Sequence, residues 1–291
     1  DSVSHLAINT ETSDGSHMRY FARNLVLAPG GTPNWPDVFE KLRQDDRVVH
    51  ASEYLSRVVP NLKLGQRIAV IGAGQSAAEI FTDLANRPEH PKVDLILRAR
   101  AVRPADDTPF VNEIFDAGQT DRFHALPADD RAVALHSLAA TNYAVADIEL
   151  IERMYEMLYE QDVRGQDQLK LRPETKVRVA ERTGDQVRLH LTGPAADQIE
   201  PYDIVVLATG YCRMLEKSVL ADLGPWQTAP VPGRDYRLPM SEGFQPAIFV
   251  QGYSEPTHGL SDTLLSILAL RSDEIAQTLA TLKRSTAMAA E

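Results

Sequence analysis

The chain has 291 residues, 43% of them apolar and 24% charged, which suits one large or two ordinary domains with a proper core and excludes a disordered tail, a fibrous repeat or a staple-dependent miniature scaffold. Thirty basic against forty-one acidic side chains leave a net charge of −11, which repels phosphate backbones and anionic lipid, so neither nucleic acid nor a membrane is an expected partner. A single cysteine, Cys212, excludes an internal disulfide framework and a cysteine-rich zinc site; no metal is expected, no apolar run approaches the ~20 residues of a membrane span, and a cytoplasmic location suits the composition.

Residues 1–29 read as a β-hairpin or meander, with alternation around Val3, Leu6 and Ile8, a turn at Ser13-Asp14-Gly15-Ser16 and a closing apolar run from Leu25 to Ala28. Pro29 to Pro33 breaks the strand, and residues 34–66 carry a short helical stretch and a polar connection through His50 to the turn at Leu64-Gly65. Arg67 to Ile71 is a short buried strand, followed by Gly72-Ala73-Gly74-Gln75-Ser76-Ala77 and a helix through Glu79, Ile80, Phe81 and Leu84. A second strand, Val93 to Leu97, completes a βαβ unit with a right-handed crossover. Residues 106–123 read as a polar loop, and from Asp129 to about Glu160 the spacing of Val133, Leu138, Ile148, Ile151, Met154, Tyr155 and Leu158 predicts helices interrupted near Thr141-Asn142-Tyr143. Strands are expected at Val177–Ala180, Val187–Leu191, Ile204–Ala208 and Ala247–Gly252, an irregular proline-rich stretch from Pro225 to Pro239, and an amphipathic helix over Leu260–Leu282.

Gly72, Gly74 and Ala77 form G-x-G-x-x-A between a strand and a helix. In that context the first glycine permits a tight turn, the second admits a pyrophosphate against the backbone, and the small third residue lets helix pack on strand. The helix N-terminus adds free N–H groups and a positive dipole end. The plain alternative is a tight βα turn with no ligand. Where an acidic residue would hold the ribose of NAD, the sequence has Arg98, with Arg100 near it; a guanidinium there favours the 2′-phosphate of NADP, and the alternative is a solvated surface arginine. No second G-x-G-x-x-G occurs, and no Ser-Tyr-Lys or comparable set supports a flavin-independent dehydrogenase.

Five stretches in order, "GAGQSAAEIF" from Gly72, "RPADDTPFVNEIFD" from Arg103, "ATNYAVADIELIERMY" from Ala140, "VLATGY" from Val206 and "THGLSDTLLSILALR" from Thr257, together with "VLAPGG" from Val26, carry a resemblance across most of the chain. The sequence resembles the FAD- and NADPH-dependent N-hydroxylating monooxygenases of siderophore biosynthesis, the L-ornithine N5-monooxygenases and their L-lysine N6 relatives, and leans to the ornithine branch. The resemblance implies an α/β flavoprotein fold with two Rossmann-like dinucleotide-binding domains, divided here into 1–33 as strands of the FAD domain, 34–205 as the NADP domain with a helical substrate-facing insertion over about 106–160, and 206–291 as a return to the FAD domain. It implies that NADPH reduces FAD and that a C4a-hydroperoxyflavin formed with O2 hydroxylates an uncharged side-chain amine. Such an amine suits neutral polar neighbours better than carboxylates, which would hold it as ammonium.

Residue by residue, the resemblance places Gly72, Ala73, Gly74, Gln75 and Ser76 at the NADP phosphates and Arg98 at the adenosine end. It places Asn112, Glu113, Ile114 and Phe115 at the amino-acid substrate, and Asn142 at both substrate and nicotinamide ribose, beside Tyr143 and Ala144. His258, Gly259 and Leu260 would pass along the flavin by their backbone, with Ser261 reaching the substrate; Asn142 and Ser261 are the residues expected nearest the chemistry. His258 reads as structural rather than as an acid or base, Phe115 and Tyr143 could equally be packing residues, and Cys212 reads as a small half-buried side chain. The chain begins at Asp1 without a methionine. The expectation is therefore an N-terminally incomplete enzyme that lacks the FAD fingerprint, binds NADP better than FAD and does not turn over alone, its full-length form a homo-oligomer. The competing readings are L-lysine N6-hydroxylation and a flavin-free, inactive NADP-binding module.

Overall fold

The computed structural model describes residues 2–194, 196–214 and 220–288. Its strands are β1 (Leu6–Glu11), β2 (His17–Ala22), β3 (Asn24–Leu27), β4 (Thr32–Pro33), β5 (Val48–His50), β6 (Arg67–Ile71), β7 (Lys92–Ile96), β8 (Leu169–Arg172), β9 (Lys176–Thr183), β10 (Gln186–Thr192), β11 (Gln198–Tyr202), β12 (Ile204–Leu207), β13 (Tyr211–Cys212) and β14 (Ala247–Val250). The helices are α1 (Gln75–Ala85), α2 (Pro109–Asn112), α3 (Ala117–Ala125), α4 (Ala128–Leu138), α5 (Ile148–Val163), α6 (Glu255–His258) and α7 (Leu268–Met288). Two compact units result: unit 1 comprises Asp1–Gly31, Asp107–Ala139 and Arg213–Glu291, and unit 2 comprises Thr32–Asp106 and Ala140–Cys212. The expected insertion over 106–160 is thus divided, its part before Ala140 belonging to unit 1.

Unit 2 is built on a parallel sheet of order β5-β12-β6-β7-β8. Both faces of its strands are covered, which is why "RIAVI" and "IVVL" are apolar without alternation. Ile68, Val70, Val93 and Leu95 meet Ala77, Phe81 and Leu84 of α1 and Met154 of α5. On the opposite face Ala69, Val205 and Leu207 meet Phe39 and the residues Val187, Leu189 and Leu191 of the antiparallel sheet β11-β10-β9. Asp94 sits buried in the middle of β7, and its carboxylate accepts from Arg67 at 3.0 Å, Arg172 at 2.8 Å and the Tyr202 hydroxyl at 2.7 Å. Besides the two-residue β4 and β13, three described strands escaped the sequence pattern: β5 is three residues long, β8 has no turn chemistry framing it, and β11 contains Pro201, which a strand tolerates at a sheet edge. β8 is also an edge strand, and the Gln161 side chain stands in for a neighbouring strand there: Nε2 donates to the Leu169 carbonyl and Oε1 accepts the Leu169 N–H, each at 2.7 Å.

Unit 1 contains the hairpin β1–β2 and the parallel pair β3–β14. β14 is buried on both sides: Ile248 and Val250 join Leu6, Leu238 and Phe244, while Ala247 and Phe249 join Tyr236 and Ile275 of α7. The polar stretch 106–123 is helical rather than loop, as α2, a 3-10 turn Glu113–Phe115 and α3. These helices are short and leave side chains such as Phe110 in solvent, so no apolar period marks them, and Pro109 in the first turn after extended Thr108 is the signal that was present. The single helix expected over Leu260–Leu282 is instead a 3-10 turn, Leu260–Thr263, an extended Leu264 and then α7. The break follows from Asp262, whose buried carboxylate is drawn out of helical register to accept the Ser254 N–H at 2.7 Å. No described helix is long and apolar enough to cross a membrane.

Candidate functional site

In unit 2 the glycine turn forms where β6 ends at the carboxyl edge of the parallel sheet, the edge at which open α/β sheets bind ligands. The Gly72 N–H donates to the Ile96 carbonyl at 3.0 Å. Gly72 has φ of +156°, and a Cβ there would stand 2.3 Å from the carbonyl oxygen of Ala208, so the position admits no side chain. Gly74 is different: a Cβ there would meet nothing closer than the Cα of Ala144, at 3.6 Å. The protein leaves room for a methyl group at 74, in ordinary contact with the backbone of Ala144 and Val145. Behind it, the first turn of α1 offers N–H groups that a helix cannot pair internally, together with its positive dipole end.

Gln75 commits its side chain to the protein: Nε2 donates to Asp147 Oδ2 at 2.8 Å and Glu79 Oε1 at 2.9 Å, while Oε1 accepts the Asp147 N–H at 2.8 Å. The amide ties the glycine turn to the segment ending at Asp147, in which Ala144 adopts φ of +56° directly over Gly74. Left-handed backbone at a non-glycine residue costs about 1–3 kcal/mol and clusters where function demands it. Asn142 is half-buried beside this segment, Tyr143 and Ala144 are exposed, and so is Ser76. Ala73 packs partly against the core. Arg98 and Arg100 are exposed just beyond the end of β7, and neither forms an ion pair among the described residues.

In unit 1 the 3-10 turn Glu113–Phe115 packs against Leu260–Thr263, which brings together parts of the two expected groups, Glu113 to Phe115 of one and Leu260 and Ser261 of the other. Asn112 and Glu113 are exposed and Ile114 and Phe115 half-buried; the Asn112 side chain donates to the Asp107 carbonyl at 2.8 Å. His258, Gly259, Leu260 and Ser261 are buried. Gly259 has φ of +87°, and a Cβ there would lie 3.4 Å from the Phe123 ring, which covers it. His258 Nε2 lies 3.0 Å from the Arg234 carbonyl, which only accepts, so that nitrogen carries the proton; Nδ1 faces the Thr257 hydroxyl at 2.8 Å. Burial, with smaller contributions from the Arg234 charge and His124, pushes its pKa down to about 4. The ring is therefore neutral at pH 7.

The depressed value has a consequence for stability. The unfolded ring takes up a proton near 6.5 and the folded one only near 4, so its contribution is complete above 6.5 and is lost as pH falls from 6.5 towards 4, about 3 kcal/mol in all. His124, whose ring stacks edge-on at 5.4 Å and whose pKa burial also lowers, acts in the same direction. Comparing the thermal midpoints of wild type and His258→Asn between pH 7 and 4.5 should show a distinctly flatter profile for the variant. Superimposable profiles would refute the assignment.

Beneath Ser261, the carboxylate of Asp262 is fully buried, and burial raises its pKa. The Arg271 guanidinium donates to the Asp262 carbonyl, lies 3.4 Å from its Oδ1 and donates to Gln251 Oε1 at 3.1 Å. Neither residue was singled out in the sequence: a buried Asp–Arg pair nine positions apart across a helix break has no local pattern. Among the described residues no cluster of His, Cys, Asp and Glu is arranged for a metal.

Residues 1–213 match the family model described as L-lysine 6-monooxygenase/L-ornithine 5-monooxygenase. The chain belongs to this family. This member is 42% identical over 282 residues to an L-ornithine N(5)-monooxygenase of Pseudomonas aeruginosa, covering 95% of itself and 64% of that protein. It thus spans less than two thirds of that relative's length. Among solved structures, the ornithine hydroxylase PvdA of P. aeruginosa superposes with a TM-score of 0.91 at 41% identity, over 97% of this chain and 67% of that one. KtzI, the ornithine N-hydroxylase of Kutzneria sp. 744 with reduced FAD, NADP+ and L-ornithine, gives 0.87 at 32% identity, over 98% and 69%. The α/β fold is that of the family's flavin- and NADP-dependent oxidoreductases.

Proposed function

We propose that this family member serves the NADPH- and O2-dependent N-hydroxylation of the side-chain amine of L-ornithine, feeding hydroxamate siderophores. The observation that carries the reading is the glycine turn: Gly74 is bare although the protein has room for a methyl there, beside a helix N-terminus, as an approaching pyrophosphate requires. Ornithine is preferred to lysine because the matched relatives bear that name, and a pocket separates the two by about 1–3 kcal/mol.

When bound, NADPH supplies the hydride and FAD the oxygen activation. The main-chain N–H groups at Gly74, Gln75 and Ser76 hold phosphates, with Gly72 and Ala73 completing the turn and Arg98 pairing with the 2′-phosphate. Asn112 of unit 1, beside Ile114 and Phe115, and separately Asn142 of unit 2, beside Tyr143 and Ala144, each offer an uncharged amide that suits a neutral amine better than a carboxylate would. The family resemblance would set the backbone of His258, Gly259 and Leu260 along the flavin and Ser261 at the substrate, and in this structure all four are buried.

The test is incubation of the purified protein with NADPH, O2 and L-ornithine, with mass detection of an amino acid heavier by one oxygen, beside a titration of the free protein with NADP+ and NAD+. A protein that carries flavin and oxidises NADPH but yields no hydroxylated product with either amino acid overturns the reading; a colourless one that binds NADP+ alone favours the inactive module. Arg98→Ala is expected to weaken NADP+ roughly tenfold, about 1.4 kcal/mol, and to leave NAD+ unchanged. Asn142→Ala should depress hydroxylation and spare flavin binding.

A further inference from the structure

The turn Ala208-Thr209-Gly210 leaves β12 and runs beside the glycine turn: its Ala208 carbonyl is the group that a Cβ on Gly72 would strike. This turn is held from the far side of the sheet by two residues distant in sequence. The Gly210 carbonyl accepts the Asn34 N–H at 2.9 Å and the His50 ring nitrogen Nε2 at 3.0 Å. The Thr209 carbonyl accepts Asn34 Nδ2 at 3.1 Å, and the Thr209 hydroxyl donates to the Asn34 carbonyl at 2.6 Å.

His50 is buried at the end of β5, and its ring orientation is fully determined. A carbonyl only accepts, so Nε2 carries the proton; Nδ1 accepts the Ser52 N–H at 3.2 Å and faces the Ser52 hydroxyl at 3.0 Å. The Tyr211 ring closes over it edge-on at 5.3 Å between centroids. A buried polar ring with both nitrogens engaged, one of them on the turn that abuts Gly72, is a directional strut rather than space filling.

We propose that His50 is a positioning residue for dinucleotide binding: its Nε2–H bond to Gly210 sets the turn 208–210 against Gly72 and thereby fixes the backbone that receives the pyrophosphate. The inference rests on the dinucleotide reading of the glycine turn. It makes the bond, rather than the bulk of the ring, the functional feature, so a glutamine, whose amide supplies an N–H at similar reach, should substitute and an alanine should not.

The experiment titrates wild type, His50→Ala and His50→Gln with NADP+ and follows amide hydrogen exchange of residues 206–212 by mass spectrometry in the same proteins without ligand. The expected result is at least fivefold weaker NADP+ binding and faster exchange in the alanine variant, with the glutamine variant within twofold of wild type on both. Wild-type affinity in His50→Ala, or equal weakening in both variants, overturns the proposal. If the alanine variant does not fold, the glutamine variant decides: near wild type supports the bond, fivefold loss refutes it. Should wild type bind no dinucleotide, the reading beneath fails by that result, and the exchange comparison alone still shows whether His50 holds the turn.

Discussion

Gly74→Ala should abolish most NADP+ binding, by tenfold or more, while leaving the thermal midpoint close to wild type; Gly72→Ala should lose both binding and stability. The two glycines stand two residues apart in one turn, and the difference lies in what each faces. At Gly72 the added carbon meets backbone, the Ala208 carbonyl oxygen at 2.3 Å, and that backbone, tied by the Ala208 N–H to the Ile71 carbonyl at 2.9 Å, cannot step aside. Overpacking of that kind costs about 1–3 kcal/mol before any ligand is considered. At Gly74 the backbone is at φ −100°, which any residue adopts, and the added carbon sits in ordinary contact with Ala144 at 3.6 Å. Its cost falls on the ligand alone. Isothermal titration with NADP+ beside differential scanning calorimetry separates the two effects. A Gly74→Ala protein that binds NADP+ as wild type does would remove the main support for a dinucleotide at this turn.

Arg271→Leu is the change expected to damage folding most. Asp262 is 0% exposed, and its charge is offset by the Arg271 guanidinium and the Ser254 N–H. Removing the cation leaves a buried carboxylate with one hydrogen bond, a loss of about 3–5 kcal/mol. In a chain of this size that corresponds to a fall in midpoint of roughly 10 °C, confined to unit 1 if the two units unfold separately. The double variant Arg271→Leu, Asp262→Asn should recover about half of the loss, since an amide keeps an acceptor for Ser254 and carries no charge. A single variant within 1 kcal/mol of wild type by urea unfolding, on the order of the error of the method, would mean that the pair is solvated.

The strongest parts of the fold were legible because several levels of signal agreed. "RIAVI", two glycines and a small-residue helix start specify strand, turn and helix at once, and the structure has them at Arg67–Ile71 and Gln75–Ala85. Legibility failed where structure is made by distant partners. Val48–His50 is a strand only because β12 lies beside it, and Asn34 and His50 mean nothing until the turn at 208–210 comes to them. The break at Leu264 was hidden for the same reason: "LSDTLLSILAL" has helical spacing, and the hydrogen bond that overrides it comes from Ser254. Gln75 shows a subtler limit. Its type and place suited a phosphate contact, but the sequence could not reveal that Asp147 would occupy its side chain.

The glutamine amide that stands in for a strand beside Leu169 has a consequence for how the molecule behaves in company. An open sheet edge is a template on which another chain can add, and native folds blunt or cover such edges. Gln161 satisfies both main-chain groups of Leu169 at the cost of a single side chain, so the sheet of unit 2 ends there by its own means. Lengthening the sheet by one strand would first require withdrawing that amide. Strand addition at Leu169 is thereby opposed from within the fold.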